Sequence, residues 1–251
     1  MTDTADDAGQ TALAYEYTPG EGPVVVFLPG YASDMTGTKA IALEEWAKAN
    51  GRAFLRFDYG GCGQSGGDFE QQTLAAWRDD ALLMIDEVAE GPVILAGSSM
   101  GGWIMLLVAR ARRERIVGLV GIAAAPDFTD WGFSQAEKMT ILQEGRLEKP
   151  SPYSERPTVT TRAFWASGEA NRVMQGSIDI AVPVRLLHGM RDTDVPWQRS
   201  QALMQYLRSE DVHLTLVKDG DHRLSREQDI AALIRAVEEV SERCMQPPPL
   251  P

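Results

Sequence analysis

Apolar residues recur along this chain in two alternating rhythms. Val24 to Leu28 is an unbroken run of β-branched and large apolar residues closed by Pro29-Gly30, which predicts a buried strand. Thr38 to Asn50 then places Ile41, Leu43, Trp46 and Ala47 at helical spacing and stops at Gly51. The exchange repeats: strand Ala53 to Phe57, a glycine-rich loop, and helix Thr73 to Ala89 with Leu74, Trp77, Ala81, Met84, Ile85 and Val88 on one face. Strand Val93 to Ala96, helix Met100 to Arg112 and strand Ile116 to Ala123 follow. After a break the rhythm resumes with strand Val184 to Leu187, helix Trp197 to Arg208, strand Val212 to Val217 and helix Arg226 to Glu239. Strand exchanged for helix in this way predicts an α/β fold, a mostly parallel doubly wound sheet flanked by helices. Thr11 to Tyr17 alternates weakly, as an antiparallel edge strand would.

The break divides the chain. From residue 126 to 179, prolines, tryptophans and phenylalanines replace the apolar strands, so the segment reads as a cap inserted into one core domain made of 10–125 and 180–246. Residues 1–9 and 247–251, the latter within a Pro-rich tail, are expected to be flexible.

Composition narrows the partners. The chain has 251 residues and a formal charge of −12, with no Lys/Arg-dense stripe to displace phosphate counterions, so nucleic acid is excluded. No apolar run approaches the roughly 18 residues of a membrane span, so stable membrane insertion is not expected. The acidic N-terminus resembles neither a secretory signal nor a transit peptide, which gives a cytoplasmic expectation. Cys62 and Cys244 are too few for a disulfide framework or a metal knuckle. Neither composition nor pattern fixes an oligomeric state.

The candidate chemistry lies in AGSSMGGW. Read as G-x-S-x-G, the stretch is Gly97-Ser98-Ser99-Met100-Gly101, between a predicted strand and a predicted helix. In that context the central serine sits in a sharp turn whose flanking glycines remove colliding Cβ atoms, and its oxygen projects above the sheet. Ser99 has glycine two residues away on both sides, and Ser98 does not, so Ser99 is the candidate nucleophile. The backbone N–H of Met100, which opens the helix, and that of Tyr31, in LPGYAS after the first strand, are the candidate oxyanion-hole donors.

A serine needs a base, and the base an orienting carboxylate. Of three histidines, His188 ends a strand ahead of any suitably placed acid and reads as structural. His213 lies inside an alternating strand, which leaves His222, in the loop after the last strand, as the base. HGMRDTDVPW offers Asp192 and Asp194 as the acid, and spacing separates them only modestly.

With Ser, Asp and His in that chain order, the sequence resembles the α/β-hydrolase superfamily. FLPGYASDMTGTKA, FLRFDYGGCGQSGG, EGPVILAGSSMGGWIM, YSERPTVT, VRLLHGMRDTDVPW and DGDHRL extend the likeness to the branch of mitochondrial abhydrolase-domain palmitoyl-protein thioesterases and acyl-glucuronide esterases, with this chain as a bacterial relative. The resemblance spans residues 24 to 235, selects Asp192 as the acid through its D-x-x-V-P position, and maps nucleophile and base onto Ser99 and His222. It implies hydrolysis of a carboxylic ester or thioester through an acyl-enzyme, on a small molecule or an acylated protein, with no metal or organic cofactor. Phe128, Trp131, Phe133, Phe164 and Trp165 are candidate acyl-pocket residues, and Arg146, Arg162 or Arg172 a candidate partner for a substrate carboxylate. The rival readings are a lipase, an aminopeptidase, a carbon–carbon hydrolase or a cofactor-free haloperoxidase on the same fold, and a non-catalytic ligand-binding member.

Overall fold

A computed structural model describes residues 12–150 and 157–245. The expectations for 1–9, for 247–251 and for the Tyr153–Arg156 part of YSERPTVT lie outside these residues.

Seven strands form one sheet in the order β1-β3-β2-β4-β5-β8-β9: β1 Tyr15–Thr18, β2 Glu21–Leu28, β3 Arg52–Phe57, β4 Val93–Ser98, β5 Ile116–Ile122, β8 Val184–Gly189 and β9 Val212–Val217. All pairs are parallel except β1 with β3. Between the strands run α1 Thr38–Ala49, α2 Leu74–Glu87, α3 Met100–Ala111 and α7 Gln198–Tyr206, with α8 Glu227–Met245 last. The period of two in the buried strands divides the core into two layers. Val24, Val26 and Leu28 pack with Leu74 and Trp77 of α2 and Trp103 of α3. Val25 and Phe27, in between, pack with Leu43 and Trp46 of α1 and Leu233 and Val237 of α8. Each fully buried Val, Leu or Phe in these layers stabilises the fold by about 1.5–3 kcal/mol relative to exposure.

Most elements start and stop close to where the pattern places them; α8 runs six residues past the expected end at Glu239, to Met245, and other differences have local causes. Thr11 lies outside the described residues; the edge strand runs from Tyr15, and ahead of it the carbonyls of Ala12 and Ala14 accept from Gly66 and Asp58 of the glycine-rich loop. β4 runs on to Ser98 because Gly97 and Ser98 stay in register with Gly121 and Ile122 of β5. α7 ends at Tyr206, since Leu207 turns extended and Arg208 donates to the Ile178 carbonyl.

Between β5 and β8 lie α4 Phe128–Trp131, α5 Gln135–Glu144, β6 Arg146–Lys149, β7 Thr158–Thr161 and α6 Arg162–Ala170. The antiparallel pair β6–β7 has no counterpart in the sequence reading, because RLEK and TVTT bury only Thr160 and carry no apolar rhythm. α5 starts at a capping box, Ser134 with Glu137, and buries only Ile141. Among the described residues no helix is long and apolar enough to cross a membrane.

Candidate active site

Because β2 and β4 are neighbours in the sheet, the loops that leave their carboxyl ends, at Pro29 and Ser99, lie side by side. Ser99 stands between β4 and α3 with φ 55° and ψ −117°, a left-handed conformation that a non-glycine residue adopts only under constraint. The constraint is close packing. A Cβ on Gly101 would lie 2.0 Å from the Leu28 carbonyl oxygen, and one on Gly97 would lie 2.5 Å from the Gly101 carbonyl oxygen. Bare backbones therefore meet on both sides of Ser99, whose N–H donates to Ile122 and whose carbonyl accepts from Gly102 and Ala125. Ser98 remains a buried strand residue paired with Ile122.

The acid and the base come together by similar means. Gly189, at the end of β8, faces Gly220 in the loop after β9; a Cβ on Gly189 would lie 2.3 Å from the Gly220 carbonyl oxygen. Met190 N–H donates to Val217 and Arg191 N–H to Gly220, so the two loops are stitched together. Across this seam His222 Nδ1 lies 2.7 Å from Asp192 Oδ2. The Asp192 carboxylate is fully buried, and Oδ1 accepts from the N–H groups of Asp194 and Val195, each at 2.8 Å. His188 Nε2 also approaches Oδ2, at 3.1 Å. Burial alone would raise the Asp192 pKa, yet the hydrogen bonds from His188, His222 and Val195 hold it far below the ordinary carboxylate range. An acceptor-only carboxylate fixes the hydrogen of His222 on Nδ1, which leaves Nε2 as the basic nitrogen.

The structure brings Ser99 and His222 to the wall of one cavity of about 630 Å³. Among the described residues no hydrogen bond joins the Ser99 hydroxyl to the imidazole; catalytic contacts of this kind are commonly long until substrate binds. Tyr31 and Met100 line the same cavity, and no loop or turn hydrogen bond among the described residues uses either N–H. Ala32, next to Tyr31, is also left-handed at φ 52°. Asp194 lines the cavity and gives its N–H to Asp192. Asp192, Asp194 and His222 are the described group whose ligand atoms, within 4.8 Å of one another, could converge on a cation. The four donors around Asp192 occupy all its lone-pair directions, which makes it a poor ligand.

The aromatic candidates separate into two sets. Phe128, Trp131 and Phe133 line the cavity, as does Phe27. Phe164 does not: it is buried at 2% exposure against Tyr31, Trp77 and Phe128. Trp165 does not either, its indole N–H donating to the Thr129 carbonyl. None of the three arginines lines the cavity: Arg146 pairs with Glu70 and Glu148, Arg172 with Asp130 and Glu169, and Arg162 donates to the Leu142 carbonyl. The cations on the wall are Lys39 in the first turn of α1, Lys149 at the end of β6 and Arg223 next to His222, none of which the sequence reading singled out. Burial, with Arg223 nearby, pulls the Lys39 pKa down to about 8. His213 is exposed on β9, beside Asp211.

A family model described as serine aminopeptidase, S33 matches residues 21–144. The human palmitoyl-protein thioesterase ABHD10, mitochondrial, is 41% identical over 235 residues, 92% of this chain and 77% of the human protein. The chain belongs to the α/β-hydrolase superfamily. Among solved structures of these hydrolases, the mouse alpha/beta hydrolase domain-containing protein 10 superposes with a TM-score of 0.89 at 40% identity, covering 95% of this chain and 97% of that one. Est1E from Butyrivibrio proteoclasticus, solved with ferulic acid, shares the hydrolase fold at a TM-score of 0.80 and 21% identity, over 95% and 98% of the two chains.

Proposed function

We propose that this protein is a serine hydrolase that cleaves carboxylic esters or thioesters through an acyl-enzyme. The observation that carries the reading is the convergence of a constrained, left-handed Ser99 and an Asp192-bound His222 on one cavity. Ser99 Oγ attacks the acyl carbon while His222 Nε2 takes its proton, and Asp192 stabilises the imidazolium. The N–H groups of Met100 and Tyr31 receive the oxyanion, each donor contributing about 3–4 kcal/mol of transition-state stabilisation. The bond to the leaving oxygen or sulfur then breaks, and His222 returns its proton to the departing alkoxide or thiolate. Water attacks the acyl-Ser99 carbonyl, loses a proton to His222, and the acid leaves as Ser99 Oγ regains a hydrogen.

Residues 126–179 act as a cap in this reading, with Phe128, Trp131 and Phe133 as one wall for an apolar acyl chain. The name of the human and mouse relatives, palmitoyl-protein thioesterase, supports a long-chain thioester as substrate and an acylated protein as its carrier. A cytoplasmic location is part of the proposal; the relatives are named mitochondrial, and fractionation decides the point. Aminopeptidase activity is the second reading, favoured by the family model, but that match ends at residue 144, before Asp192 and His222. Parallel assays on acyl thioesters, p-nitrophenyl esters of rising chain length and aminoacyl anilides test the choice. The expected result is turnover of the first two, lost in Ser99→Ala; turnover of anilides alone would overturn it.

A further inference from the structure

Two imidazoles share one carboxylate oxygen, and only one of them reaches the cavity. His222 is partly exposed and lines it, whereas the His188 side chain, at the end of β8, is 0% exposed. His188 Nε2 faces two acceptors, Asp192 Oδ2 at 3.1 Å and the Val195 carbonyl at 2.9 Å. An ionised carboxylate and a carbonyl cannot donate, so Nε2 carries the hydrogen. Nδ1 lies 2.7 Å from the hydroxyl of Ser200, itself fully buried in α7. A neutral ring accepts there, with the Ser200 O–H donating. A charged ring would place a desolvated cation against the carboxylate that the His222 imidazolium needs.

We propose that His188 is a positioning residue for the reaction: a neutral imidazole, hydrogen on Nε2, that clamps Asp192 Oδ2 toward His222 and is held in that tautomer by Ser200. The inference rests on the acyl-transfer reading given above. The clamp fixes the carboxylate rotamer by holding the same oxygen that His222 binds. It also withdraws charge from Oδ2, so Asp192 holds the His222 imidazolium firmly enough to orient it yet lets that ring pass its Nε2 proton to the leaving group. Other charged groups near this pair include Arg191 and Asp194 on the Asp192 loop, Asp221 and Arg223 on either side of His222, Arg199 next to Ser200 in α7, Lys39 of α1, and Asp34 and Lys149 on the cavity wall. They stay constant in the variants that follow, so any difference between them belongs to His188.

Nitrogen-15 spectra of the intact chain, labelled at its three histidines, read the tautomer directly. At neutral pH the fully buried ring is expected to show a protonated Nε2 and a bare Nδ1; a protonated Nδ1 at His188 overturns the proposal. Kinetics supply the second arm. His188→Leu removes the donor and is expected to lower kcat about tenfold with KM within about twofold, the scale of one hydrogen bond to a charged group. With more charge left on Oδ2, His222 keeps its proton longer, so the acidic limb of the kcat/KM profile moves up by about half a pH unit. His188→Gln, which restores an N–H near the same point, is expected to return the limb to its wild-type position. Equal losses in both variants with an unmoved limb would mean mere packing, and would overturn the proposal. If wild-type Ser99 fails to react with a fluorophosphonate, the acyl-transfer reading fails, while the tautomer measurement still stands or falls by itself.

Discussion

Backbone-to-backbone contact builds the carboxyl edge of the sheet, whereas side-chain hydrogen bonds, with one backbone bridge at Ile178, attach the segment between β5 and β8. At the edge, Gly101 meets Leu28 and Gly189 meets Gly220 with no room for a single carbon between them. The non-glycine left-handed residues among those described, Ala32, Ser99, Ala123, Asp127 and Leu224, all follow carboxyl ends of strands, so backbone strain collects where the candidate chemistry does. The described residues between 126 and 179 are joined mainly through side chains, apart from the backbone bonds of Ile178 with Tyr206 and Arg208. Tyr31 Oη donates to the Val159 carbonyl at 2.5 Å, Trp103 Nε1 to Asn171, and Ala75 N–H to Ser167 Oγ. Asp127, nearly buried, accepts the N–H groups of Val173 and Met174 and so ties the start of the segment to its end. Rigid backbone packing can hold reacting groups to the tolerance that catalysis demands, whereas side-chain tethers can be exchanged without disturbing it.

The largest effects should come from the edge. Ser99→Ala is expected to lower kcat/KM by about 10⁴-fold or more with Tm unchanged, measured by ester hydrolysis and thermal melting. Asp192→Asn should cost about 10³–10⁴-fold, because the amide no longer enforces the tautomer of His222. The same variant gives a stability test. The Asp192 pKa is depressed in the folded state, so its contribution is fully present above the ordinary carboxylate pKa of about 4 and is lost as pH falls toward the depressed value. The Tm gap between wild type and Asp192→Asn should therefore be constant above about pH 5 and narrow in stronger acid.

Ser99 was legible in the sequence because steric need writes itself as glycine spacing, and the core strands because burial on both faces leaves runs such as Val24 to Leu28. Other features depend on how loops fold back. Asp192 and Asp194 share one loop, and only the turn that sends the Asp194 and Val195 N–H groups onto Asp192 Oδ1 separates them physically. The contact of His188 with Asp192 was missed for the same reason, although only three residues separate them in HGMRD. In α6, Phe164 and Trp165 are both aromatic neighbours, yet a helix turns them about 100° apart and sends only Phe164 into the core. The β6–β7 pair left no trace, since a short, half-exposed ribbon needs no apolar period.

Smaller effects follow. Gly101→Ala should destabilise the fold by about 1–3 kcal/mol through overpacking against Leu28 and lower kcat, read by denaturant unfolding and initial rates. Tyr31→Phe loses one hydroxyl bond to Val159, worth about 1 kcal/mol, and should raise KM for long acyl chains several-fold while leaving kcat on a short ester nearly unchanged. Replacing Arg146, Arg162 and Arg172 together with Gln should leave KM for an acidic ester unchanged, because their partners lie off the cavity. A large change there would mean that the segment does more than its tethers suggest.

The central claim is that the hydroxyl in the left-handed elbow is the nucleophile. Its most direct test is to treat the intact protein with a fluorophosphonate, digest it, and locate the adduct by mass spectrometry. One equivalent on Ser99, absent in Ser99→Ala and strongly slowed in His222→Asn, is the expected result. An adduct on Ser98, or active enzyme with Ser99 unmodified, would contradict it.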